Sequence, residues 1–102
     1  MIVETPTPCW TVYAHIAPNG KMYVGITSQK PENRWRDGYG YQRNTHLWNA
    51  IKKYGWENFQ HEIIASNLTQ EEAGNMERIL IRDLDLMNPK HGYNMSIGGE
   101  GA

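Results

Sequence analysis

The hydrophobic patterning predicts an α+β chain with its elements in the order β-β-α-α-β-α. Three observations carry that class. Two short runs rich in Tyr, Val and Ile flank a Pro-Asn-Gly turn, and a third such run occupies 60–65. An apolar stripe at helical spacing covers Thr45–Tyr54. A second stripe follows Thr69, behind its own helix-start signal.

Trp10–Ile16 and residues 21–26 read as the two arms of a hairpin. Alternation places Trp10, Val12, Ala14 and Ile16 on one face of the first arm, and Met22, Val24 and Ile26 on one face of the second. These are the predicted core faces. Thr11, Tyr13 and His15, with Lys21, Tyr23 and Gly25, point the other way. A one-residue slip would exchange the faces, so parity constrains the loop. An Asn19-Gly20 loop would pair Ile16 with Tyr23 and mix the faces. A loop of Pro18, Asn19 and Gly20 pairs Ala17 with Lys21, His15 with Tyr23 and Tyr13 with Gly25, and the faces agree. Tyr13 and Tyr23 are then diagonal neighbours on one face.

Pro31 suits a first helical turn and predicts a short helix over 31–37 that carries Arg34. The stretch 38–44 reads as a loop. Thr45–Tyr54 reads as a helix with Leu47, Ala50, Ile51 and Tyr54 in a stripe, closed by Gly55. Residues 60–65 form the third predicted strand. Thr69 and Glu72 stand in a capping-box arrangement and open a helix that runs to about Leu86 and is stopped by Asn88-Pro89. The closing "GYNMSIGGEG" has glycines that suit turns more than a terminal helix.

The 102 residues suit one domain over 1–102, and 39% hydrophobic content with four Trp and six Tyr is that of a folded chain. No apolar run approaches the ~20 residues a membrane span needs. The N-terminal stretch lacks the basic and apolar regions of a secretory signal, and the single Cys9 has no partner within the chain, so a cytoplasmic setting is expected. Net charge is −1, which gives no global signature for nucleic acid. The distribution is uneven: between Lys21 and Lys53 seven Lys and Arg stand against two acids. That is a local cationic surface, whether or not it has a ligand.

Glu77 is the chemical anomaly. Ala73, Met76, Leu80 and Leu84 make the apolar stripe of the last helix, and Glu77 falls on it. A carboxylate there is paired, protonated or metal-bound, because an isolated buried charge is costly. It either sits at the stripe's edge beside an arginine or holds a ligand. His15, His46, His61 and His91 lack the spacing of zinc ligands. No Ser or Cys lies in a nucleophile motif, and no phosphate-loop glycine pattern is present. "KKYGWENF" reads either as a basic aromatic patch for nucleic acid or, with Trp56 and Phe59, as core.

The ordered set "TVY" at 11–13, "YVG" at 23–25, Arg34, Glu77 on a helix and "GYN" at 92–94 resembles the GIY-YIG nuclease family over almost the whole chain. "AIKKYGWENF" is similar to the middle of small phage and bacterial members. Thr11-Val12 stands where the family has Gly-Ile, with the tyrosine kept. Many members carry a histidine about four residues after the arginine. Gly38 is there in this chain, and His46 is the candidate substitute.

The resemblance implies a small central three-stranded antiparallel sheet flanked by helices. It implies a divalent-metal-dependent DNA endonuclease using one Mg²⁺ or Mn²⁺. By analogy Glu77 is the metal ligand and Arg34 holds the scissile phosphate. Tyr13 and Tyr23 line the site and orient or deprotonate the attacking water, with Tyr13 the base. Lys21 assists, and Lys21, Arg34 and His46 contact substrate. Asn94 orders the site from its C-terminal side. The partner is DNA, double- or single-stranded, with sequence choice expected from this domain, from dimerisation or from a partner protein. A non-catalytic nucleic-acid-binding module on the same fold is the alternative.

Overall fold

Parity dictates the hairpin, and the computed structural model, which describes residues 8–98, has that hairpin. Strand β1 is Trp10–Ile16 and β2 is Met22–Thr27. They pair antiparallel with Tyr13 opposite Gly25 and His15 opposite Tyr23. The Ala17 N–H donates to the Lys21 carbonyl and the Gly20 N–H to the Ala17 carbonyl, both at 2.9 Å, around the three-residue loop. Gly20 takes the left-handed conformation, φ 88°, that this loop demands.

Strand β3, Gln60–Leu68, pairs antiparallel with β1, and the sheet order is β2-β1-β3. It runs three residues past the predicted end at 65. The outer edge of β2 is met by the "GYN" segment. The Met22 N–H donates to the His91 carbonyl at 3.2 Å and the Tyr93 N–H to the Met22 carbonyl at 3.0 Å.

Helix α1 is Pro31–Trp35, followed by a 3-10 helix over Arg36–Tyr41. This corrects the predicted helix over 31–37 and loop over 38–44. Arg36 and Asp37 are both left-handed, at φ 51° and 53°, which breaks the first helix, and the chain rewinds so that Tyr41 is buried. Helix α2 is Thr45–Tyr54, as predicted, with the Asn44 side chain accepting from the Leu47 N–H at 3.1 Å.

Helix α3 is Gln70–Asp83 and opens on the predicted capping box. The Thr69 hydroxyl accepts from the Glu72 N–H at 3.1 Å, and the Glu72 carboxylate accepts from the Thr69 N–H at 2.9 Å. It ends three residues before the predicted Leu86. Asp85 turns left-handed at φ 56°, the Leu86 N–H donates to Ile81 and the Asp85 N–H to Arg82. That is a Schellman stop with aspartate in the position glycine usually takes. Leu86 and Ile81 meet in one core cluster across it. Among the described residues no helix is long and apolar enough to cross a membrane.

The sheet separates two cores. On the predicted core face Val12, Ala14, Val24 and Ile26 meet Ala73, Ile81 and Leu86. The other face, which points away from the predicted core, is also buried: Tyr13 joins Tyr41, Leu47, Ile51 and Phe59 there. The 3-10 helix, α2 and a short turn at Trp56–Asn58 lie over it. Trp56 and Phe59 are therefore core residues rather than a surface patch. The α3 stripe is rotated from its prediction as well. Ala73, Glu77 and Ile81 are buried, whereas Leu84 is 45% exposed.

The capping box sets the start of α3 and so the height of Glu77 above the sheet. Thr69→Ala is expected to cost about 1 kcal/mol, the usual value of an N-cap side chain. Urea denaturation of the variant against the parent measures it.

Candidate active site

A cleft of about 390 Å³ opens where β2, α1, the 3-10 helix, α3 and the C-terminal segment converge. Tyr23, Arg34, Glu77 and Asn94, four of the residues selected from sequence, line it together. Tyr41, Arg43 and Asn44 add polar groups to its wall, with Gly40, Met95 and Ser96 beside them.

Each is placed by a local cause. Glu77 faces inward because α3 puts it one turn from both Ala73 and Ile81, and it is only 7% exposed. The backbone of Gly98 passes so close that a methyl group there would meet the Glu77 carboxyl at 2.7 Å. Arg34 follows from α1. Its Nη1 donates to the Gly40 carbonyl at 2.8 Å, and the guanidinium lies 4.7 Å over the Tyr41 ring. Its Nε is buried with no hydrogen-bond partner. Asn94 extends the β2 edge with its side chain. Oδ1 accepts from the Val24 N–H at 3.0 Å, and Nδ2 donates to the Val24 carbonyl at 2.8 Å.

Tyr13 and Tyr23 share one face, as parity requires, but not one environment. Tyr23 borders the cleft. Tyr13 lies behind it, fully buried, its hydroxyl sharing a 3.1 Å hydrogen bond with Tyr41. This differs from the expectation that Tyr13 lines the site together with Tyr23. The glycine of "YVG" makes room for it: a Cβ on Gly25 would sit 2.6 Å from the Tyr13 oxygen. Burial raises the titration of Tyr13, opposed by the Tyr41 hydrogen bond and by Arg34. Burial likewise raises Tyr23, with Tyr13 adding to it and Arg34 opposing.

Two sequence candidates stand outside the cleft. Lys21 sits at the hairpin end, its N–H bonded to Asn19 Oδ1 at 2.9 Å. His46 lines a neighbouring depression with Tyr93, Asn94 and Met95. Sequence reasoning missed Tyr41, Arg43 and Asn44. Arg43 stands in the sequence only as one of the seven cations between Lys21 and Lys53, and Asn44 reveals itself as the residue before a helix. Nothing in "GYGY" marks Tyr41. A depression of about 450 Å³ beside α2, lined by Tyr39, Trp48, Lys52 and Trp56 with Asp37 and Glu57, holds none of the sequence-selected residues.

Among the described residues no three His, Cys, Asp or Glu side chains cluster as a metal cage. Glu77 is the carboxylate bordering the cleft. One carboxylate beside an arginine suits a hydrated hard cation such as Mg²⁺, which keeps most of its waters and shares a phosphate oxygen. It does not suit zinc, which wants a closed set of N and S ligands.

Fold and cleft define an α+β chain with a carboxylate and a guanidinium bordering one cleft at the edge of a three-stranded sheet. The chain belongs to the GIY-YIG family: the family model for the GIY-YIG catalytic domain matches residues 9–93. Three proteins of Enterobacteria phage T4 are similar over 83 residues, or 81% of this chain. "Putative endonuclease segD" is 39% identical, "Putative endonuclease segE" 40% and "Endonuclease segA" 39%. The match spans only 35%, 38% and 35% of their respective lengths. No solved structure matches the chain.

The buried polar cluster behind the cleft makes stability depend on acidity. His15 is fully buried, and desolvation, then His61 and Arg34, push its titration down from 6.5 to about 2. The unfolded chain therefore binds a proton that the folded chain refuses. The contribution is complete above the unfolded value and is lost as pH falls below it. Between about pH 6.5 and about pH 5 the loss from His15 alone is expected to be roughly 2 kcal/mol, at about 1.4 kcal/mol per pH unit. Urea midpoints at the two pH values, compared between parent and His15→Gln, test this, since the variant should lose most of the slope.

Proposed function

We propose that this chain is a divalent-metal-dependent DNA endonuclease and that the cleft between Arg34 and Glu77 is where it cuts. The observation that carries the reading is the convergence in one cleft of Tyr23, Arg34, Glu77 and Asn94, from β2, α1, α3 and the C-terminal segment. Family membership and the endonuclease names of the phage relatives support it.

In this reading water attacks phosphorus, the new P–O bond forms, and the opposite P–O ester bond breaks to release one strand end. Glu77 would hold the metal ion. When bound, the ion supplies charge that polarises the phosphoryl group and stabilises the leaving oxygen. Arg34 grips the phosphate. Its Nη1 is committed to Gly40, which leaves the rest of the guanidinium edge for an anionic oxygen. Arg43 adds positive charge at the rim.

Tyr23 presents its phenol to the cleft and orients water or phosphate. Tyr13, buried behind it, is the proton acceptor of this reading and acts only when the attacking water passes Tyr23 to its hydroxyl. Asn94 acts on β2: by clamping Val24 it fixes the strand that carries Tyr23. Lys21 and His46, outside the cleft, are assigned in this reading to the DNA backbone beyond the scissile phosphate.

Glu77→Gln keeps the side-chain volume and removes the charge. It is expected to abolish nicking of supercoiled plasmid in Mg²⁺ or Mn²⁺ while leaving DNA binding by gel shift nearly intact. Normal turnover would remove Glu77 from the metal site. Binding without cutting by the parent chain would favour the non-catalytic module instead.

Arg34→Lys replaces a planar fork with a point charge. The expected loss in single-turnover rate is at least ~10²-fold, comparable to removing a transition-state charge contact. A rate equal to the parent's would reduce Arg34 to a structural cation.

A further inference from the structure

Behind the cleft five groups form one unbroken hydrogen-bonded line. The Trp56 carbonyl lies 3.0 Å from His61 Nε2. His61 Nδ1 lies 2.9 Å from His15 Nδ1, and His15 Nε2 lies 2.7 Å from the Tyr41 oxygen. The Tyr41 oxygen lies 3.1 Å from that of Tyr13.

One end of this line fixes the direction of the whole. A carbonyl only accepts, so His61 carries its proton on Nε2 and offers a bare Nδ1. The contact between the two Nδ1 atoms then requires the proton to be on His15. That leaves His15 Nε2 bare, to accept the Tyr41 hydroxyl. The structure has the Tyr41 hydroxyl donating to the Tyr13 oxygen, the direction that holds once Tyr13 is a phenolate; with both imidazoles neutral Tyr41 gives its single proton to His15, and the Tyr13 hydroxyl rotates to donate to Tyr41. Every link is satisfied with both imidazoles neutral, and Tyr13 is the donor at the far end.

The Tyr13 hydroxyl is fully buried and cannot hand a proton directly to bulk water. His61, at the other end, is half-buried and reaches solvent. We infer that Tyr41, His15 and His61 are a proton path that serves Tyr13. The transfer balances. The Tyr13 O–H bond breaks as a new one forms on Tyr41, the Tyr41 proton moves to His15 Nε2, and the His15 Nδ1 proton moves to His61 Nδ1. Tyr13 keeps the electron pair as a phenolate, His61 becomes an imidazolium held by the Trp56 carbonyl, and net charge is unchanged. His15 and His61 are positioning residues here: neither borders the cleft.

Burial at both ends of the path opposes the transfer, and the Arg34 charge acts for it at Tyr13. His15 is faced by Tyr13, by Tyr23 from β2, by Trp35 from α1, by Tyr41, by Trp56 and by His61 from β3. His61 is faced by His15, Trp35, Trp56 and Phe59. No carboxylate is among these facing groups. After His61, the charge that reaches His15 is that of Arg34, which disfavours a cation there and eases a phenolate at Tyr13. Glu77 acts on Tyr13 in the opposite sense. His61 must be neutral to accept, and burial holds its titration below 6.5. The path is open above that titration and closes as pH falls through it.

The catalytic half of this inference rests on the phosphodiester-cleaving reading; the direction of the line does not. His61→Asn places an amide oxygen where Nδ1 stood, which accepts the His15 proton as a hydrogen bond but cannot take it up. The full chain with this change is expected to fold, to lose at least ~10²-fold in nicking rate, as for loss of a general base, and to lose the acid limb of its pH–rate profile. A rate within about twofold of the parent's, far short of a general-base loss, would show that His61 only holds its neighbour, and the path would be wrong. A second measurement needs neither the variant nor any cutting. Nitrogen-15 NMR of the free parent chain at neutral pH is expected to find the proton of His15 on Nδ1 and that of His61 on Nε2. The opposite tautomer at either residue overturns the inference even if the chain is a nuclease. The expected tautomers in a chain that cuts no DNA would instead sink the nuclease reading and leave the line standing.

Discussion

A strand buried on both faces that carries a phenol and an imidazole must find a hydrogen-bond partner for each, and the rest of this structure follows from how β1 does so. Leaving either group unpaired would cost on the order of 1–3 kcal/mol. Tyr13 and His15 stand side by side on the strand, and their hydrogen-bond partners come from elsewhere in sequence. Tyr41 reaches both of them, and His61 takes the remaining nitrogen of His15. These bonds tie β1, the 3-10 helix and β3 into one body. The same bonds put Arg34 beside Tyr41, because the guanidinium lies over that ring.

The other half of the cleft depends on the second core. Ala73 and Ile81 seat α3 against the apolar face of the sheet and leave Glu77 between them at the sheet's edge. The C-terminal segment then closes that edge through backbone bonds to Met22 and the Asn94 side chain on Val24. Glu77 and Arg34 thus arrive from opposite sides of the sheet, each held by a different core. A change in either core should therefore be felt in the cleft without any cleft residue being touched.

Much of this was legible in the sequence. The hairpin register followed from parity alone, because one wrong residue in the loop would have mixed apolar and polar faces. Helix α2 and the start of α3 followed from stripes and caps that are local in sequence. Burial of the second face was not legible. Tyr, His and Thr alternate there as they would on a solvated face, and only the aromatic covering supplied by distant segments makes them core. Tyr41 lay hidden in a Gly-Tyr repeat without periodicity, wound by Arg36 and Asp37 in a conformation that neither residue advertises. The end of α3 was misjudged for the same reason, since Asp85 takes a left-handed stop where glycine would have been recognised. The family resemblance named Tyr13, Tyr23, Arg34, Glu77 and Asn94, and the structure brings four of them to one cleft with Tyr13 behind.

The central claim is that a divalent ion is received at Glu77, within the cleft that Arg34, Tyr23 and Asn94 border. Titrating the isotope-labelled chain with Mn²⁺ and following paramagnetic broadening residue by residue tests this without any substrate. The account expects broadening centred on Glu77, extending to Tyr23, Arg34 and Asn94, competed away by excess Mg²⁺, and absent from Glu77→Gln. Broadening centred on another part of the surface, or unchanged in Glu77→Gln, would contradict it.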